Sequence, residues 1–177
     1  MPPRSIPAER LSRVVRDGYT EEKYALLTDE LDIPVYILIP DGEPPFKPVL
    51  VFHGHHVYPE YVLGHYPDAA TAAEWQAQDN NYAQALAQAG YLVCLVMQRG
   101  FGERFSDNPH APEFGWACRD LSFEYLVHGR TMTGERVWDG MCALTYVQSR
   151  ADVVPGRLAC TGHSGGAATT VWLSALD

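Results

Sequence analysis

Three short stretches of the chain are apolar at nearly every position: residues 49–52 (Val-Leu-Val-Phe), 91–97 and 158–160. Runs of this length without alternation predict strands buried on both faces, as in a parallel sheet. Residues 23–28 and 35–39 predict a β-hairpin across the polar segment 29–32. Pro34 falls near the start of its second strand, where proline is tolerated. Helical spacing recurs elsewhere. Leu11, Val14 and Val15 predict a short amphipathic helix over 7–16. Residues 72–89 are alanine-rich, carry Tyr82, Leu86 and Ala89 at helical spacing, and stop at Gly90, a suitable C-cap. Val137, Met141, Leu144 and Val147 predict an amphipathic helix over 135–148. Further helices are predicted over 121–127, within the otherwise irregular stretch 105–130, and over 167–176.

An antiparallel opening followed by strand–helix alternation predicts a single α/β domain over 1–177, with a mostly parallel sheet and helices on both faces. In such sheets function gathers at the carboxyl ends of the strands. Three Gly-marked turns, after Phe52, Met97 and Thr161, fall on that edge.

Composition narrows the partners. The 177 residues are 46% hydrophobic and 20% charged, an ordinary globular balance. A net charge of -9 argues against nucleic acid or an anionic membrane as the main partner. No apolar run approaches a membrane span, and residues 1–16 lack the apolar core of a secretory signal, so a cytoplasmic location is expected. The four cysteines form no C-x-x-C pair, and no zinc site is expected. Cys94 and Cys160 lie in apolar runs and read as buried free thiols.

Residues 162–166, Gly-His-Ser-Gly-Gly, fit the pattern G-x-S-x-G. A predicted strand before and helix after make this a nucleophile elbow, a sharp turn that holds a serine hydroxyl out above the sheet. Small residues two before and two after the serine let the strand and helix backbones pass close, and Gly162 and Gly166 supply them. A Gly-rich loop that only redirects the chain would carry the same letters; the flanking elements favour the elbow. Ser164 is the candidate nucleophile. The N–H of Gly165, at the helix N-terminus, is the first candidate oxyanion donor, and the helix dipole adds to it. The second donor is expected from the loop after the central strand.

The histidines at 53, 55 and 56 suggest a metal at first sight. Their spacing does not suit one helix face, and no acid or thiol sits nearby in sequence. They are expected to shape the loop, with no metal and no cofactor. His163 is too close to Ser164 on a tight turn to act as its base and reads as a packing or loop-orienting residue. Glu103 and Arg104 read either as a local ion pair at the pocket mouth or as a solvated loop. Tyr58, Tyr61 and Tyr66 either line a pocket or cover a core edge.

Taken together, Val49 to His55 (VLVFHGH), Gly100 to Arg104 (GFGER), Gly134 to Asp139 (GERVWD) and the run from Ser149 through the elbow resemble the α/β-hydrolase superfamily. Within it they resemble the acetyl xylan esterase-like and dienelactone hydrolase-like branch. The resemblance covers most of residues 20–177. It implies a serine hydrolase acting on small carboxylic esters, such as acetyl groups on carbohydrate. It also points to the backbone N–H of His55 as the second oxyanion donor, with Gly54 permitting close approach. Trp138 and Asp139 take structural roles in it, Trp138 by packing and Asp139 by bonding a neighbouring loop.

In these folds the triad follows the order Ser, then Asp or Glu, then His. No histidine follows Ser164, and the only later acid is Asp177. The catalytic acid and base are therefore expected outside this sequence, which reads as the N-terminal part of a longer hydrolase. The elbow strand would otherwise be an apolar edge open to pairing, including with a second copy of the chain. A non-catalytic binding or assembly module on the same fold is the alternative. Acyl transfer or lactone opening at the same elbow is a third reading.

Overall fold

The computed structural model describes residues 4–55, 58–104 and 116–176. The chain opens with β1 (Ala8–Arg16), β2 (Tyr19–Leu26) and β3 (Ile33–Pro40), paired antiparallel in succession. The hairpin of β2 and β3 matches the expectation. β1 overturns the helix expected over 7–16. Arg16 faces Tyr19 across the turn Asp17-Gly18, and Gly18 sits at φ +81°. Asp-Gly between strands is a strong short-range hairpin signal. It outweighs the helical spacing of Leu11, Val14 and Val15, all of which end exposed. Leu11 is the extra residue of a bulge between Arg10 and Ser12. The bulge brings Arg10 and Arg13 together on Glu22, at 2.9 and 3.2 Å. Bulge and arginines blunt an edge strand that would otherwise invite pairing.

The remaining strands are β4 (Lys47–Phe52), β5 (Tyr91–Val96) and β6 (Ala159–Gly162). They complete a six-stranded sheet of order β1-β2-β3-β5-β4-β6. β4 pairs parallel with both β5 and β6, while β3 meets β5 antiparallel. The sheet is thus mixed, and its parallel part is confined to β5, β4 and β6. The opening strands are joined by short turns, which permit only antiparallel pairing.

Five helices accompany the sheet among the described residues: α1 (Ala69–Ala77), α2 (Tyr82–Gln88), α3 (Trp116–Val127), α4 (Met132–Gln148) and α5 (Gly165–Leu176). The one helix expected over 72–89 is divided into α1 and α2. The break, Gln78-Asp79-Asn80-Asn81, is rich in residues that favour turns, and Asp79 takes φ +53°. Gly90 ends α2 as expected, at φ +89°. The expected stretch 105–115 lies outside the described residues.

Alternate residues of β4 and β5 face two separate cores. Leu50, Phe52, Cys94 and Val96 pack with Val137, Ala143 and Val147 of α4 and Leu173 of α5. Val49, Val51, Val93 and Leu95 pack on the other face with Ala83 and Ala87 of α2 and with Val62 and Leu63. Helices therefore cover both faces. Cys94 is fully buried, which pushes its thiol up to about 12. Cys160 is only half-buried, contrary to expectation, because β6 bonds β4 alone among the described strands. No helix of the described residues is long and apolar enough to cross a membrane.

Candidate active site

β4, β5 and β6 run parallel, so their carboxyl ends lie on one edge of the sheet. The segments leaving that edge build the site. β6 turns into α5 within Gly162-His163-Ser164-Gly165. The His163 N–H continues the ladder to the Phe52 carbonyl at 3.2 Å, and the Gly166 N–H closes back on the His163 carbonyl at 2.8 Å. This tightness forces Ser164 to φ +52°, a left-handed conformation that L side chains rarely adopt. Ser164 is exposed at the tip of the turn.

The glycines make the turn feasible. A Cβ on Gly162 would lie 2.5 Å from the Gly166 carbonyl carbon, and one on Gly166 would overlap the Phe52 carbonyl oxygen. Strand and helix backbones thus touch where the G-x-S-x-G spacing says they should. Gly165 opens α5, where the first-turn N–H groups lack intrahelical acceptors and carry the positive end of the dipole.

The loop leaving β4 reaches this helix end. Gly54 is buried, and the His55 imidazole rests against Gly165. His55 as a whole is exposed, but partial burial of its ring, and then the charge of Arg136, hold the imidazole below its ordinary value. His53 is wholly buried. Its Nε2 accepts from the Gln98 N–H at 3.0 Å, and its Nδ1 lies 2.8 Å from the Gly54 carbonyl. An amide N–H can only donate, so the proton sits on Nδ1 and donates to Gly54. His56 lies outside the described residues. Tyr82 braces the same loop from α2, its hydroxyl donating to the Phe52 carbonyl at 3.4 Å. His163 lies beside Tyr82 along the outer edge of β6.

A third segment, after β5, locks the other two. Phe101 meets the rings of His53 and His55 edge-on, at 5.2 and 5.1 Å between centroids. Arg99 grips Asp139 with two parallel bonds of 3.0 and 2.9 Å and reaches Glu135 at 2.6 Å. Arg104 adds a 2.6 Å bond to Asp139. Arg136 donates to the Arg99 carbonyl at 2.7 Å. These charged groups are buried and bind residues 99–104 to α4. Asp139 does bond a neighbouring loop. Glu103 and Arg104 do not pair with each other: Glu103 takes Lys23 at 2.7 Å, while Arg104 turns inward to Asp139. Tyr58, Tyr61 and Tyr66 form a ring cluster with Trp75 on the other side of the loop.

Sequence patterns bring Ser164, Gly165, Gly54 and His55 into view, and the fold gathers all four. They do not reveal Gln98, Thr169, Phe101 or Tyr82. Gln98 carries one legible signal, a polar residue directly after an apolar strand run. Its side chain donates to the His53 carbonyl and accepts the Thr169 hydroxyl at 2.8 Å.

No protein-family model matches the chain. Over 97 residues it is 34% identical to "Putative hydrolase YtaP" of Bacillus subtilis (strain 168), covering 55% of this chain and 29% of that protein. Among solved structures it is similar to one described as a putative acetyl xylan esterase from Bacteroides fragilis NCTC 9343, with a TM-score of 0.84 and 20% identity over 98% of this chain. An acetyl xylan esterase from Paenibacillus sp. R4 gives a TM-score of 0.64 at 21% identity, and a glucuronoyl esterase from Solibacter usitatus gives 0.62 at 18%. The chain spans 46 to 50% of the length of these three structures. A six-stranded mixed sheet, a left-handed serine between strand and helix, and these likenesses together show that the chain has the α/β-hydrolase fold.

Proposed function

We propose that residues 1–177 form the nucleophile-bearing part of a serine hydrolase that cleaves small carboxylic esters, of acetyl-ester or carbohydrate-ester type. The observation that carries this reading is the backbone of Ser164 at φ +52°. Such a conformation costs about 1–3 kcal/mol and persists where the surrounding structure over-determines it, chiefly at functional sites. The names of the structural neighbours, acetyl xylan esterase and glucuronoyl esterase, support carbohydrate esters as the substrate class.

In this reading the Ser164 Oγ attacks the ester carbonyl carbon. The N–H of Gly165 and the N–H of His55 receive the developing oxyanion, and Gly54 lets the loop backbone come close. The alcohol leaves with a proton, and water then hydrolyses the acyl-enzyme. The serine proton passes to a histidine oriented by an acid, the two groups that follow the nucleophile in the chain order of this fold. His53 is unsuited as base, since both ring nitrogens are engaged in holding the loop. His65 lies 2.7 Å from Glu21, on β2.

The test is incubation of the whole encoded protein, which carries the acid and base, with a fluorophosphonate probe and with p-nitrophenyl acetate, beside a Ser164→Ala control. Labelling that depends on Ser164 is the expected result. If neither labelling nor hydrolysis depends on Ser164, the reading is wrong.

A second reading, an assembly module, draws on one feature. The outer edge of β6 is unpaired among the described strands, and Val171, Trp172 and Leu176 of α5 are exposed. A second copy pairing there would make sedimentation depend on concentration.

A further inference from the structure

We infer that Gln98 is a positioning residue that sets the spacing between the two oxyanion donors, through a bridge from His53 to Thr169. This rests on the serine hydrolase reading above. The two proposed donors belong to different elements: His55 to the loop after β4, Gly165 to the start of α5. An oxyanion hole works only when both N–H groups converge on one oxygen at about 2.7–3.1 Å. Backbone contact at Gly166 and the His163 N–H bond to the Phe52 carbonyl join the elements, but neither orients the loop beyond His53.

Gln98 supplies the direction. It is 2% exposed and lies two residues past the end of β5, directly after Met97. Its own N–H holds the His53 ring at Nε2, 3.0 Å away, and its side-chain amide donates to the His53 carbonyl. Its Oε1 accepts from the Thr169 Oγ1 at 2.8 Å. Thr169 is 1% exposed and sits one turn along α5 from Gly165, whose carbonyl lies 3.3 Å from the same hydroxyl. A threonine hydroxyl has one proton, and the shorter contact claims it. The orientation of the Gln98 amide is dictated by its partners. Reversed, it would press Oε1 against the His53 carbonyl oxygen, which can only accept. The result is one hydrogen-bonded path from Gly54 through His53 and Gln98 to Thr169, which lies one turn of α5 from Gly165. None of these links touches the reacting atoms, so Gln98 acts only by placing the groups that do.

The bridge is tested at its Thr169 end, because truncating Gln98 itself could unfold the site. Thr169→Val keeps the shape and removes the donor; Thr169→Ser keeps the donor. Two readouts are taken on the whole encoded protein: the rate of fluorophosphonate labelling at Ser164, separated from probe affinity, and the 15N order parameters of the Gly54, His55 and Gly165 amides. Thr169→Val is expected to slow the labelling step about tenfold or more without weakening probe affinity. It is also expected to lower the order parameters at Gly54 and His55 while leaving Leu95 of β5 unchanged. Thr169→Ser is expected to restore both. If Thr169→Val labels at the wild-type rate with unchanged order parameters, the positioning role is overturned and the serine reading stands. If the wild-type chain labels no better than Ser164→Ala, the serine reading falls, and with it the oxyanion role of the bridge.

Discussion

The His55 imidazole occupies the space that any side chain on Gly165 would need: a Cβ there would lie 2.6 Å from Cε1 and 2.8 Å from Nδ1. The residue after the nucleophile can therefore carry a side chain only if the exposed His55 ring moves aside. Gly165→Ala is expected to lower stability by about 1–3 kcal/mol, the usual cost of overpacking, and to slow fluorophosphonate labelling of Ser164. The same substitution made in a His55→Ala background should cost less than half as much, because the clashing ring is gone. Urea titrations of the two single variants and the double variant measure this coupling.

Ser164 itself is predicted to destabilise the protein. Glycine adopts φ +52° without steric penalty. Ser164→Gly should therefore raise the unfolding free energy by about 1 kcal/mol while abolishing labelling. Ser164→Ala keeps the Cβ and should stabilise less. Chemical unfolding of both variants beside the wild type decides this, and a less stable Ser164→Gly would show that the turn is not strained.

Acid should weaken the fold in two separate windows. His55 titrates below its ordinary value of 6.5, because of burial and then the charge of Arg136. As pH falls below 6.5 the unfolded chain takes up this proton before the folded one does, so the stability present above 6.5 is lost progressively. Glu21 behaves alike at lower pH. Burial pushes its carboxyl up, but hydrogen bonds from His65 and Arg16 outweigh this and leave it below its ordinary 4.5. Its contribution is whole above 4.5 and disappears as pH falls through the folded value. Urea midpoints measured from pH 8 to pH 3 should show both declines, and His55→Gln should remove only the first.

Asp139 should matter far more than Glu103. Asp139 is 1% exposed and takes Arg99 through two bonds and Arg104 through a third. Asp139→Ala leaves two buried guanidinium groups short of their counter-charge, with an expected cost of roughly 3–5 kcal/mol. Glu103 pairs with Lys23 at the surface, and Glu103→Gln should change stability by about 0.5 kcal/mol or less. Thermal melts of the two variants make the comparison.

The elements legible in the sequence are those whose pattern and environment agree. Residues 49–52 and 91–97 are apolar throughout because both faces of β4 and β5 are buried, and the elbow announces itself by glycines that nothing larger can replace. β1 was hidden because its apolar residues fall at helical spacing by accident of a bulge at Leu11, while the deciding signal, Asp17-Gly18, lies outside that spacing. The supports of the site were hidden for a different reason. Thr169 and Gln98 meet only through tertiary structure, and each alone reads as an ordinary polar residue. The resemblance points Asp139 at a neighbouring loop, but its partners Arg99 and Arg104, and the burial of Glu135 and Arg136 beside it, appear only in the fold.

The pairing of β4 with β6 has a temporal consequence. It joins Val49 to Ala159, so the loop that carries His55 and the turn that holds Ser164 meet only once the long stretch between them has been made. The meander of β1, β2 and β3 closes between near neighbours and can form early, whereas the long-range closure of β4 on β6 carries a loop entropy that slows it. Ser164 therefore enters its strained conformation after the meander has formed, forced there by strands already in place. A chain emerging from synthesis would carry a relaxed, unpoised serine until β6 docks on β4.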